Sequence, residues 1–143
     1  MRQEVAIRSA FKIAERLAAC DGVVDTPDCA WSQFRFNVVW LFGSTAQGKK
    51  EPGDIDIMYD AASGGVWQPD NLFTGKSHKG HADYVALVWL RRGLKLVRYH
   101  DYYCDNFALD HGAIQLWPVN ELVVAADALV TKRYRPVKRE DFE

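Results

Sequence analysis

The residues best placed to do chemistry are two aspartates set two positions apart, Asp54 and Asp56, in the run Gly53-Asp54-Ile55-Asp56-Ile57. On an extended strand two positions span about 6.6 Å and return to the same face, so both carboxylates can converge on one or two hard cations. Magnesium suits such a pair, since it prefers oxygen ligands and is commonly held by one or two carboxylates together with water and substrate phosphates. Without a cation, two acids on one face repel each other. Ten positions before Asp54 stands Ser44, preceded by Gly43. A glycine there lets the backbone approach a phosphate closely, and the Ser44 hydroxyl and the turn amides can donate to its oxygens. The alternative is a plain turn followed by a solvated strand.

These residues need two strands to position them. Val38 to Phe42 is continuously apolar and reads as a central strand covered on both faces, ending at Gly43-Ser44. Asp54 to Asp60 alternates strictly, giving a second strand with Asp54, Asp56 and Asp60 on one face. Between them, residues 45–53 form a loop or a short helix. Upstream, Ile7, Ala10, Phe11, Ala14, Leu17 and Ala18 recur at helical spacing opposite Arg8, Lys12, Glu15 and Arg16, an amphipathic helix stopped near Asp21-Gly22. Residues 61–80, rich in Gly and polar residues, read as a long loop of the kind that is functional or mobile; Trp67 in it could stack on a base or sugar. Ala82, Val85, Ala86, Trp89 and Leu90 mark a helix ending at Gly93. Strands follow at about Leu94 to Tyr103 and Ala113 to Val119. A last helix begins at Asn120 with Leu122, Ala125, Ala126, Leu129 and Val130 inward, and a loose tail occupies about 136–143. The expected architecture is one α/β domain over residues 1–143, a small mixed sheet flanked by helices.

The strand, Gly43-Ser44 turn, spacer and Asp54-Ile55-Asp56 strand together resemble the DNA polymerase beta-like nucleotidyltransferase superfamily, in particular its small stand-alone members. The resemblance covers less than half of the chain, roughly its first 60 residues. It implies transfer of a nucleoside monophosphate from a nucleoside triphosphate, such as ATP, to an acceptor hydroxyl. Two magnesium ions would be held by Asp54 and Asp56, with Gly43 and Ser44 gripping the triphosphate. Arg91, Arg92, Lys95 or Arg98 would neutralise further phosphate charge. The acceptor is left open between a small molecule, a protein and an RNA end.

The family usually carries a third catalytic carboxylate on a later strand, and here the sequence departs from it. Asp101, in Arg98-Tyr99-His100-Asp101-Tyr102, is the best candidate. If its strand lies beside that of Asp54, then Val97, Tyr99 and Asp101 share a face and Asp101 stands at the edge of the site. In a rival alignment Gln115 takes the third position, where an amide cannot act as a base. The protein would then be a catalytically weak nucleotide-binding protein, for instance the antitoxin-like partner of another. A third reading is an interaction domain whose motif is accidental.

Composition frames these readings. The chain has 143 residues, 48% of them hydrophobic, and a net charge of −1, values that exclude a disordered class. No apolar run approaches a membrane span, and the N-terminal residues do not build a secretion signal. Three cysteines, Cys20, Cys29 and Cys104, suggest no disulfide framework, so a cytoplasmic protein is expected. Four cations, Arg91, Arg92, Lys95 and Arg98, fall in an acid-free stretch from Tyr84 to His100. Five more, Lys132, Arg133, Arg135, Lys138 and Arg139, lie near the C-terminus. His78 with His81, and His100 near Cys104 and His111, match no common structural zinc spacing. A chain of this size has little surface for a large acceptor, which favours a homodimer or a partner protein.

Overall fold

The computed structural model describes residues 2–27, 32–62, 79–101 and 112–131, with the side chains at 62, 79–81, 101, 130 and 131 excepted. The first apolar stripe forms helix α1 (Gln3–Ala19), which buries Ala6, Ile7, Ala10, Ile13, Ala14 and Leu17; Phe11 is half-buried and Ala18 faces solvent. Asp21 ends the helix in the left-handed region at φ 54°. The Gly22 amide then reaches back to the Leu17 carbonyl at 2.9 Å and the Asp21 amide to that of Ala18 at 3.3 Å. This pattern satisfies two orphan carbonyls of the last turn. Gly22 has no room for a side chain, since a Cβ there would lie 2.6 Å from the Trp117 indole nitrogen.

Among the described residues five strands form one mixed sheet: β1 (Val23–Asp25), β2 (Gln33–Phe42), β3 (Ile55–Ala62), β4 (Val97–Asp101) and β5 (Ile114–Trp117). The apolar strand β2 is central. β3 runs antiparallel along one edge of it, from Arg35 opposite Ala62 to Phe42 opposite Asp56. On its other edge β1 pairs along Gln33–Arg35 and β5 along Val39–Leu41. β4 lies parallel to β3 on the outer side, the arrangement that requires a long crossover. That crossover contains α3 (Lys79–Leu90). The last helix, α4 (Leu122–Thr131), starts as its sequence predicts, with Asn120 Oδ1 accepting from the Leu122 amide at 3.1 Å.

Among the described residues one apolar cluster draws on every helix and strand, α2 (Gly43–Ala46) included through Ala46. Its centre is the sheet face bearing Val39, Leu41, Ile55 and Ile57, on which α1 and α3 pack. Aromatic rings continue it edge to face, from Phe34 to Phe36 at 4.9 Å, Phe36 to Tyr59 at 5.9 Å and Tyr59 to Tyr99 at 6.3 Å. Two long-range bonds tie α3 to this layer. Arg16 Nη1 donates to the Leu90 carbonyl and the Tyr99 hydroxyl to the Leu87 carbonyl, each at 2.9 Å.

The expected α/β class and small mixed sheet are found, with some differences in detail. β3 extends to Ala62, and α3 begins at Lys79, so the expected loop of 61–80 is trimmed at both ends. Val85 is exposed rather than inward, because Ala82, Ala86 and Leu90 define the buried stripe of α3. On β2 the residues Val39 and Leu41 are fully buried toward the helices, while Val38, Trp40 and Phe42 on the opposite face are half-buried. Trp67, His78, Cys104, His111, the C-terminal cations and the expected tail lie outside the described residues.

Candidate functional site

β2 ends and β3 and β4 begin at the same end of the sheet, which brings Gly43, Asp54, Asp56 and Arg98 together. β2 turns sharply at Gly43, which sits at φ +72°, a conformation that side-chain-bearing residues rarely adopt. A Cβ at Gly43 would run into Asp56 Oδ2, so the absence of a side chain is what lets the Asp56 carboxylate lie against the turn. The short helix α2 follows, closed by the Gln47 amide on the Gly43 carbonyl at 3.0 Å. Thr45, fully buried, donates its hydroxyl to the Asp54 carbonyl at 3.1 Å. That bond ties the turn after β2 to the residue that leads into β3, and so fixes the separation of Ser44 from the two aspartates. Ser44 itself is half-buried.

Alternation divides β3 and β4 into two faces. Ile55, Ile57, Val97 and Tyr99 take the core side, and Asp56, Arg98 and His100 take the other. Asp54 Oδ2 lies 3.4 Å from Arg98 Nη1 in a pair whose side chains are 35% and 65% exposed. An ion pair this open contributes little to stability. Asp56 is more enclosed. Its Oδ1 lies 3.1 Å from His100 Nε2, and Phe42 stands edge-on to the His100 ring at 4.9 Å. Burial pushes the Asp56 carboxyl above its ordinary range; His100 opposes that rise, the nearby Asp54 charge adds to it and Arg98 opposes it. A half-buried carboxylate beside a second carboxylate is a place where added positive charge is favoured.

Among the described residues no group of three or more His, Cys, Asp and Glu side chains forms a ready metal cage. The two carboxylates nevertheless fit magnesium, which takes hard oxygens and fills its other positions with water and phosphate. Asp60, four residues beyond Asp56, is set off from the pair by about 13 Å of strand, with the fully buried Met58 between.

The other expected site residues are distributed as follows. Arg91 sits with its guanidinium 5.9 Å over the Tyr99 ring, on the α3 side of the sheet and away from the carboxylates. Arg92 lies exposed in the turn after α3. Arg98, from the same stretch, is brought to Asp54. β4 does lie beside β3, but the face shared by Val97 and Tyr99 is the core face. The residue set beside Asp56 on the carboxylate face is His100. The Asp101 backbone pairs with Tyr59, and its side chain lies outside the described residues. Gln115 does not take the third position. Its strand pairs with β2 opposite Trp40, leaving the whole of β2 between Gln115 and β3.

Two contributors escape a reading of the sequence alone, Thr45 and His100. The signal for His100 is the alternation Val97-Arg98-Tyr99-His100, in which the two apolar residues must share the core face and therefore leave Arg98 and His100 together on the other. Thr45 carries no local signal, since its partner is a backbone carbonyl nine residues away. No family model, no curated protein and no solved structure matches this chain.

Proposed function

We propose that this chain is a nucleotidyltransferase-like domain that binds a magnesium–nucleoside triphosphate complex between the Gly43-Ser44 turn and the Asp54/Asp56 pair, and transfers the nucleoside monophosphate to an acceptor hydroxyl. The observation that carries the reading is the seating of the Asp56 carboxylate against Gly43, with Asp54 at its side. A glycine turn of the kind that suits phosphate and a carboxylate pair suited to a hard cation thereby meet at one point.

In this reading Asp54 and Asp56 hold the metal, and Ser44 with the amides of the turn donates to the triphosphate oxygens. Arg98, already drawn to Asp54, supplies positive charge at the rim. Bound magnesium would neutralise charge on the transferred phosphoryl group and the leaving group. The acceptor oxygen forms its bond to the α-phosphorus as the bond to the β-phosphate oxygen breaks and pyrophosphate departs, the hydroxyl proton passing to a carboxylate or to water. A cytoplasmic setting is part of the proposal, in keeping with the half-buried free thiol of Cys20. So is a homodimer or partner protein to enlarge the acceptor surface. No helix among the described residues is long and apolar enough to cross a membrane.

A second reading, binding with feeble turnover, is favoured by one observation: the side chain beside Asp56 on β4 is an imidazole, not a carboxylate. The two readings part in a paired experiment. Magnesium with one of the four common nucleoside triphosphates should raise the melting temperature more than either alone, a ligand at 100 times its Kd adding about 2.7 kcal/mol. Incorporation of labelled nucleoside monophosphate then marks a transferase, and stabilisation without incorporation a binder. Absence of any joint stabilisation removes both.

A further inference from the structure

The two oxygens of Asp56 have different neighbours. Oδ2 lies against the Cα of Gly43, where the turn leaves no room for a side chain. Oδ1 meets His100 Nε2 at 3.1 Å. The imidazole is itself held, by its own strand in register with Met58 and by the edge-on ring of Phe42, the residue immediately before Gly43. A carboxylate rotates easily about its last bond, and its torsion is broad and roughly two-fold. Here the rotation is fixed from one side by an imidazole that is anchored in turn to the residue leading into the turn.

We propose that His100 is the positioning residue of this site: by donating from Nε2 to Asp56 Oδ1 it holds the carboxylate with Oδ2 turned to the Gly43-Ser44 turn, where the metal–triphosphate complex binds. The inference rests on the nucleotide reading given above and adds to it a residue that acts through Asp56. His100 also ties β4 to Asp56, so that three strands and not two define the carboxylate's orientation. Partners of this kind, which orient a metal-holding side chain, typically matter by 10–100-fold in metal affinity or activity.

The donor chemistry supplies the test. His100→Ala removes the bond. His100→Gln keeps an N–H at about the place of Nε2, and His100→Asp offers only acceptors to Asp56. The joint stabilisation by magnesium and ATP is titrated for the native protein, the three variants and Asp56→Asn, with circular dichroism to check the fold. The expected result is a 10–100-fold loss of apparent affinity in His100→Ala, recovery of most of it in His100→Gln, and none in His100→Asp. Should His100→Ala fail to fold, the contrast between His100→Gln and His100→Asp carries the test. In the ligand-free protein, long-range proton–nitrogen spectra should show His100 protonated at Nε2. Native affinity in His100→Ala or in His100→Asp overturns the inference while leaving the nucleotide reading standing, and so does an unprotonated Nε2. If the native protein and Asp56→Asn are alike indifferent to magnesium and ATP, the nucleotide reading falls and this inference with it.

Discussion

β3 and β4 present two faces built from the same two stretches of backbone, and the contrast between them is the most instructive feature of the molecule. On one face Ile55, Ile57 and Val97 are buried among α1, α3 and β2, and Tyr99 closes the layer by bonding to the Leu87 carbonyl. On the other, Asp54 and Asp56 stand with Arg98 and His100 in pairs that are open or half-open to solvent. Period-two alternation is all that separates them. The apolar face supplies the rigidity with which the polar face holds its geometry, so a change on one should be felt as stability and on the other as ligand binding.

The largest expected effect comes from breaking the apolar face. Ile57 is fully buried between β2 and β4, opposite Leu41 and beside Tyr99. Ile57→Ala should cost about 2–5 kcal/mol of unfolding free energy in urea, from lost transfer energy and the cavity left behind. A loss well under 1 kcal/mol would mean that this layer is not the load carrier of the sheet.

Gly43→Val tests where the two faces meet the turn. A β-branched residue at φ +72° carries backbone strain of about 1–3 kcal/mol, and its Cβ would displace the Asp56 carboxylate. The expected outcome is a folded but weaker protein, seen by thermal melting, with joint stabilisation by magnesium and ATP lost. Native nucleotide response in this variant would separate the turn from the site.

Asp56→Asn sharpens the contrast from the polar side, since it should abolish metal-dependent nucleotide binding without harming the fold. The carboxyl is raised by burial in the folded state, so folding favours its protonated form and ionisation costs stability. That cost is absent below the ordinary carboxylate range and fully present above the raised value. The variant should therefore match the native protein in acid and gain on it as pH rises through that window, as measured by melting temperature against pH. A variant that loses stability at neutral pH would assign Asp56 a structural role instead.

How much of this was legible in the sequence follows from the range of the interactions concerned. The alternation of Asp54 to Asp60 and the apolar run into Gly43-Ser44 are local patterns, and each strand forms where its own residues require. Which strand stands beside β3 is not local. Asp101 and Gln115 lie on strands of similar length, and pairing is decided by the crossover through α3, which lays β4 along β3 and leaves β5 to β2. The positions of Arg91 and His100 follow from that choice. Arg91 directly follows α3 and is carried to the core side over Tyr99, whereas His100 reaches Asp56, a residue 44 positions away. The three-residue strand β1 is too short to show a period of its own and exists because β2 offers it an edge.

A smaller effect is expected from Tyr99→Phe, which keeps the ring in the core layer and deletes only the hydroxyl. Its bond to the Leu87 carbonyl at 2.9 Å is a neutral one, and its loss should cost about 0.5–1.5 kcal/mol in urea. Nucleotide response should be unchanged, because the hydroxyl lies on the face turned away from Asp56. A variant with native stability and impaired binding would contradict the division of labour between the faces.

The smallest effect on the fold should come from Arg98→Ala, and its smallness is the informative part. Arg98 Nη1 and Asp54 Oδ2 are 3.4 Å apart, long for a charge-assisted hydrogen bond, and the arginine side chain is 65% exposed. Exposed pairs of this kind contribute about 0.2–1 kcal/mol and are screened by salt, so the variant should sit within that margin of the native protein at low salt and converge on it at 1 M. On the proposed reading its nucleotide response should fall further than its stability, because an exposed arginine only loosely paired with Asp54 gains stronger partners when phosphates arrive. If Arg98→Ala instead lost 2 kcal/mol or more in urea with nucleotide response intact, the polar face would be a structural ion-pair network. Asp54 and Asp56 would then serve the sheet rather than a ligand.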